Sequence, residues 1–119
     1  MLRYFLPIGM GVPLIVAGVG HGWFGDTAAR RLGWPAGSPF QRELGFWDLG
    51  AGIVAVTAAW ASRPFVLAVV VLNAVFWPLA GIVHVRDMLA GNRASDNVAT
   101  AAIDFLAPVT LVAIYLVSR

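Results

Sequence analysis

The sequence contains no cysteine and no lysine, and only 12% of its 119 residues are charged. Without cysteine there can be no disulfide, no thiolate nucleophile and no cysteine-ligated metal or iron–sulfur site. The eight basic residues are all arginines, which occur singly or as the pair Arg30-Arg31. That distribution is too sparse for a nucleic-acid-binding surface, so we expect no nucleic-acid partner.

Apolar residues, in contrast, are abundant. They make up 60% of the chain, and the mean hydropathy is +0.81. A soluble domain of this size is far less apolar. A membrane-crossing helix needs about 20 mostly apolar residues, so four crossings use about 80 residues and leave about 40 for connections. We therefore expect one all-α domain, a four-transmembrane-helix bundle that runs up, down, up and down.

Apolar runs and turn signals place the four helices of this single domain, residues 1–119, at about residues 2–24, 39–61, 64–88 and 98–118. The second helix follows a capping box, Ser38-Pro39-Phe40-Gln41, in which the Ser38 hydroxyl can accept the Gln41 amide proton. In the connection before it, Asp26 or Thr27 can cap a short helix over residues 28–32 that Gly33 would terminate. We expect this short helix to lie along the membrane interface.

The up-down order has a consequence for the ionisable residues, because it brings two helix ends and two helix starts to one membrane face. All the carboxylates and histidines fall on that face: His21, Asp26, Glu43, Asp48, His84, Asp87, Asp96 and Asp104. A charged side chain costs about 2.5–3.5 kcal/mol at the centre of a membrane helix. The deeper members should therefore face the bundle interior, where they form a candidate site.

Helix geometry indicates which of these residues are deep. At about 1.5 Å per residue, Asp48 lies ~13 Å inward from Pro39 and Asp104 lies ~9 Å past the start of the last helix. On the third helix, Trp77, His84 and Asp87 fall within about 40° of a common direction. The predicted polar cluster therefore consists of His21, Glu43, Asp48, Trp77, His84, Asp87 and Asp104.

Two chemical uses of this cluster follow from its residue types. Imidazole and carboxylate groups can bind a divalent metal, for which His21, Glu43 and His84 are weak candidates, although the Glu-x-x-His pair of di-metal helical bundles is missing. Alternatively, Asp87 can orient the His84 imidazole, three residues away on the same helix, so that it relays protons or hydrogen-bonds a quinone or another carbonyl ligand.

A purely structural use remains open as well. Arg42 and Arg86 can neutralise Asp48 and Asp104, while both imidazoles hydrogen-bond loop carbonyls at the interface. In that case the cluster would hold the bundle together without binding anything.

The chain also resembles a known group of proteins. The resemblance rests on two segments, Gly33-Trp34-Pro35 and Ser38-Pro39-Phe40-Gln41-Arg42-Glu43-Leu44-Gly45. It also rests on two histidines: His21 closes the first helix, and His84 closes the third in Gly81-Ile82-Val83-His84. These features resemble an uncharacterised bacterial family of small four-helix membrane proteins, broadly DoxX-like. The likeness covers nearly the whole chain. It implies a bacterial inner (cytoplasmic) membrane and an association with quinone or redox chemistry or with membrane partners. It adds Gln41 to the cluster, beside His21, Glu43 and His84.

The function expected from these observations is binding. A multi-pass membrane protein would hold a small ligand, a quinone or a lipid headgroup in the cluster, or would serve a larger membrane protein or a second copy as an accessory subunit. A quinone and a divalent metal are the cofactors considered. Two alternatives stay open: a small proton-coupled transporter, although the first helix has no acidic residue, and a membrane-embedded metal-dependent or redox enzyme.

Overall fold

The computed structural model describes residues 1–118, which contain five helices and no strand. The helices are α1 (Leu2–Trp23), α2 (Gly25–Leu32), α3 (Pro39–Thr57), α4 (Arg63–Leu89) and α5 (Ser95–Val117). The π-helical segment Phe5–Gly11 forms part of α1, and the 3₁₀ turn Ala58–Trp60 extends α3. The expected all-α fold is confirmed.

Three of the helices, α1, α4 and α5, are long and apolar enough to cross a membrane, which indicates a membrane protein. The expected fourth crossing corresponds to α3, which has 19 residues and is not among these three candidate spans. Its sequence carries Arg42, Glu43 and Asp48. These charges lower its apolar character, so composition and length alone support three crossings rather than four.

The connection between α1 and α3 contains α2, which is longer than the five residues predicted from the sequence. It begins at Gly25 and ends at Leu32, and the next residue, Gly33, has a left-handed φ of 73°, as a helix-terminating glycine requires. Asp26 does not cap it. The Asp26 Oδ1 atom instead accepts a hydrogen bond from the Gly37 backbone N–H at 2.9 Å, which folds the connection back on itself.

The predicted hydrogen bond of a capping box at the start of α3, from the Gln41 amide to the Ser38 hydroxyl, is wrong. Ser38 is the N-cap residue, but its side chain makes no capping bond. The Gln41 N–H donates to the Ser38 backbone carbonyl at 3.2 Å, and the Gln41 side chain reaches His21. The last helix also starts earlier than expected, at Ser95 rather than about Val98.

Glycines allow α1 and α3 to pack with their backbones in contact. A Cβ atom added to Gly18 would lie 2.5 Å from the backbone N of Leu49, and one added to Gly45 would collide with the backbone of Gly22. Small residues at such crossings are the common way in which membrane helices approach each other closely. The pairing of Gly18 with Leu49 and of Gly22 with Gly45 makes the two helices antiparallel.

The helices α4 and α5 form a second antiparallel pair, in which Gly81 packs against Asp104 and Phe105. Large apolar side chains fill the half of the bundle near the α3–α4 turn, among them Leu6, Met10, Val69, Val70 and Leu111. Of the six buried polar side chains in residues 1–118, five lie in the other half: Gln41, Asp48, His84, Asn97 and Asp104. The sixth, Asn73, lies on α4 between the two halves and donates to the Val69 carbonyl at 2.8 Å. The bundle interior is therefore divided into an apolar half and a polar half.

Candidate functional site

A cavity of about 380 Å³ opens in the polar half of the bundle. Ionisable side chains from four helices line its interior: His21 on α1, Asp48 on α3, His84 on α4 and Asp104 on α5. Three aromatic side chains, Trp34, Phe76 and Trp77, form part of its walls. The structure thus brings together five of the eight residues predicted from sequence: His21, Asp48, Trp77, His84 and Asp104.

The imidazole of His84 is held in one orientation. Its Nδ1 lies 2.6 Å from Oδ1 of Asn97, and Nδ2 of Asn97 donates to the His84 backbone carbonyl at 3.4 Å. This pair of bonds fixes the amide, since a flipped amide would bring its oxygen against the carbonyl oxygen. An amide oxygen accepts, so Nδ1 carries the proton and Nε2 of the neutral ring is an acceptor. Trp34 stacks on the same ring with 4.9 Å between centroids.

Asp104 faces this acceptor without bonding to it. Its Oδ2 lies 3.9 Å from Nε2 of His84, which is too long for a hydrogen bond. Within residues 1–118 this oxygen has no hydrogen-bond partner, although the residue is only 8% exposed. A buried polar atom without a partner costs about 1–3 kcal/mol and calls for an explanation.

Asp48 is the second buried carboxylate of the cavity and is 7% exposed. Across the described part of the chain it makes no side-chain hydrogen bond and no ion pair. Arg42 and Arg86, which the structural interpretation paired with the two carboxylates, are both exposed. Neither carboxylate lies within ion-pair distance of an arginine in residues 1–118, so that interpretation loses its main support.

His21 lies on the α1 side of the same cavity, and the Gln41 side chain forms a hydrogen bond with its imidazole ring. The Gln41 Nε2 is 2.7 Å from Nδ1 of His21. With the Gln41 amide in this orientation its nitrogen donates, so Nδ1 accepts and the proton of the neutral ring lies on Nε2. Gln41 itself is buried and does not line the cavity. The two imidazoles consequently have opposite tautomers.

Asp87 does not orient His84, contrary to the expectation from their spacing. Its Oδ2 accepts from the Trp34 indole N–H at 2.8 Å and from the Asn92 amide, which also donates to the Leu32 carbonyl at 2.7 Å. These bonds tie the connection after α2 to the loop between α4 and α5. Asp87 therefore positions Trp34 over the His84 ring. Asn97, rather than Asp87, orients the His84 imidazole.

The cavity also has an ion pair on its rim. Arg31 of α2 lies with its Nε 2.7 Å from Oδ2 of Asp96 on α5, and both residues contribute to the lining. The two side chains are 72% and 37% exposed, so solvent screens the pair and its contribution to stability is small. The pair neutralises Arg31, the one arginine in the described part of the chain that lines the cavity.

Glu43 is exposed and does not reach the cavity. The weak metal candidates His21, Glu43 and His84 are therefore not assembled around one point. Among residues 1–118, no three histidine or acidic side chains are grouped closely enough to hold a metal ion.

Sequence reasoning missed two residues that shape the site. Trp34 lies in the connection between α2 and α3, where no helical periodicity distinguishes it. Asn97 was placed in a loop, because the last helix was predicted to begin one residue later. The sequence signal that could have identified Asn97 is its position in the first turn of α5, opposite the C-terminal part of α4 that carries His84.

Comparison with known proteins adds one match. A family model described as "Family of unknown function (DUF6790)" matches residues 1–119. No curated protein and no solved structure matches the chain. The match confirms the expectation of an uncharacterised family that covers the whole chain.

Proposed function

Because the chain belongs to this family of unknown function along its whole length, we propose its role from the geometry of its cavity: it is a membrane protein that binds a small ligand between α1, α3, α4 and α5. The ligand enters the polar half of the bundle and contacts His84 and Asp104. The aromatic side chains that line the cavity supply apolar contact area, as in most small-molecule sites.

The unpartnered Oδ2 of Asp104 carries this proposal. A carboxylate that served only to hold the bundle together would be paired, because an unpaired one destabilises the fold. Here a cavity lies beside the carboxylate, and the imidazole nearest to it is held by Asn97 with its acceptor atom available. A bound ligand that donates hydrogen bonds would satisfy both groups.

The proposal includes four membrane crossings, with α3 as the fourth. Its 19 residues span about 29 Å and the following 3₁₀ turn adds about 6 Å, which together are enough to cross a hydrocarbon core of about 30 Å. Close backbone packing with α1 through Gly18 and Gly45 supports a shared transmembrane path. Two of its three charged residues, Arg42 and Glu43, lie in its first turns, where they would meet the headgroups. We place this bundle, surrounded by lipid, in a bacterial cytoplasmic membrane, in keeping with its DoxX-like sequence features.

Labelling of single cysteines tests the crossings directly, because the natural chain has none. Ser38, Ser62 and Ser95 are exposed and lie at the ends of α3 and at the start of α5. With four crossings, an impermeant thiol reagent added to intact cells or to inverted vesicles labels Ser38→Cys and Ser95→Cys from one side and Ser62→Cys from the other. Labelling of Ser38→Cys and Ser62→Cys from the same side contradicts a membrane-crossing α3.

Ligand binding is tested by native mass spectrometry of protein extracted with its surrounding lipid. The Ala80→Leu variant fills part of the cavity, whereas Ala102→Leu adds the same methylene and methyl groups to an exposed position of α5 outside it. We expect a non-lipid adduct on the wild-type chain and on Ala102→Leu that Ala80→Leu loses. A chain without an adduct, or an adduct that survives in Ala80→Leu, contradicts the proposal.

A further inference from the structure

The charges around the cavity are unbalanced. Among residues 1–118, Arg31 is the one arginine in its lining, and it is already paired with Asp96 on the rim. The other acidic side chains of the lining are Asp48 and Asp104, both buried and both without an arginine within ion-pair distance in residues 1–118. Among residues 1–118, the interior of the cavity therefore contains two carboxylates and no arginine, so a positively charged group of a ligand would be favourable there.

The gap between His84 and Asp104 has the dimensions of a donor that bonds to both. Two acceptors 3.9 Å apart can each lie about 2.8 Å from one nitrogen that carries two N–H groups. Asn97 fixes His84 with its Nε2 as the acceptor on this side. An ammonium group meets these requirements and also brings a positive charge.

The walls of the cavity favour an organic cation over a bare ion. Phe76 and Trp77 line the cavity on α4, and Trp34 covers His84. Aromatic faces attract ammonium groups and also contact the hydrocarbon part of a ligand.

We propose that the ligand of this cavity is a small organic cation, a molecule with an ammonium group that is held by the carboxylates of Asp104 and Asp48. This inference rests on the proposed binding function and names its ligand class. An anionic lipid headgroup would face two carboxylates and an arginine that is already paired. A divalent metal would lack its ligands, since no three suitable side chains converge among the described residues.

Calorimetric titration of the full chain in lipid nanodiscs tests the ligand class with three probes of similar shape and different charge. Benzylamine is a cation at neutral pH, benzyl alcohol is neutral and benzoate is an anion. We expect benzylamine to bind at least ~10-fold more tightly than benzyl alcohol, which corresponds to one charge-assisted hydrogen bond, and benzoate to bind most weakly.

Variants test whether the two carboxylates cause the preference for benzylamine over benzyl alcohol. Asp104→Asn and Asp48→Asn should each weaken benzylamine binding by about 10-fold or more and leave benzyl alcohol unchanged. Glu43→Gln makes the same chemical change at an exposed position of α3 and should leave all three probes unchanged. Thermal unfolding of each variant shows whether it is folded.

Equal affinities for benzylamine and benzyl alcohol, no binding of benzylamine, or an Asp104→Asn variant with wild-type preference would overturn the inference. Failure of the proposed ligand class can be distinguished from failure of the proposed binding function. If Ala80→Leu removes the adduct found by mass spectrometry while the probes show no charge preference, the cavity binds a ligand of another class.

Discussion

Nε2 of His84 and Oδ2 of Asp104 lie 3.9 Å apart inside the bundle, close enough to share a ligand and too far apart to satisfy each other. Both atoms belong to residues fixed by other contacts, His84 by Asn97 and Asp104 by the packing of α5 against Gly81. The gap is consequently a property of the helix packing.

The hydrogen bonds predict opposite tautomers for the two histidines. The chain has only His21 and His84, so the ¹⁵N spectrum of histidine-labelled protein is simple, and a His21→Gln variant assigns it. At alkaline pH, where both rings are neutral, we expect the His84 proton on Nδ1 and the His21 proton on Nε2. A His84 spectrum of the Nε2-protonated tautomer would show that Asn97 does not orient the ring.

Asp104 and Asn97 should differ in their effects on stability, although both are buried on α5. Asp104→Asn replaces an unpartnered carboxylate with a neutral amide, so the midpoint of thermal unfolding should stay the same or rise. Asn97→Leu keeps the branched shape of the side chain but replaces its polar atoms with larger methyl groups and leaves Nδ1 of His84 unpaired, which should lower the free energy of unfolding by about 1–3 kcal/mol. A marked loss of stability in Asp104→Asn would reveal a structural role for that carboxylate.

Two glycines of α3 provide a matched test of the contact between α1 and α3. A Cβ atom on Gly45 meets the backbone of Gly22, so Gly45→Ala should destabilise the protein by about 1–3 kcal/mol. Gly50 has no atom within 4 Å of the corresponding position. Gly50→Ala should be neutral or stabilising by up to about 1 kcal/mol, because alanine is the better helix former. Unfolding in graded denaturing detergent measures both, and equal effects would contradict the close packing.

Asp87 should control the segment that covers the cavity, because it accepts the hydrogen bonds of Trp34 and Asn92. In Asp87→Ala we expect faster amide hydrogen exchange in residues 33–38, since the anchor of Trp34 is lost. Arg93→Ala changes an exposed residue of the neighbouring loop and serves as the control. Unchanged exchange in Asp87→Ala would mean that stacking on His84 alone holds Trp34 in place.

Much of the fold followed from local signals. The apolar runs gave the long helices, and Gly33 ended α2 because a left-handed residue is needed there. The hydrogen bonds at helix ends were less predictable. Ser38 has the right side chain for a cap, yet Gln41 uses its amide on His21, a residue 20 positions away in the sequence. Local capping competes with such long-range partners, which a single sequence does not reveal.

The sequence by itself determined that this chain is helical and suited to a membrane, because both properties depend on composition and on runs of neighbouring residues. It also placed the carboxylates and histidines toward one end of the bundle, since helix order decides that. Only the tertiary structure decided which of them meet. Asp104 rather than Asp87 faces His84, and Glu43 points away, because contacts between helices depend on the rotation and close approach that Gly18, Gly45 and Gly81 allow.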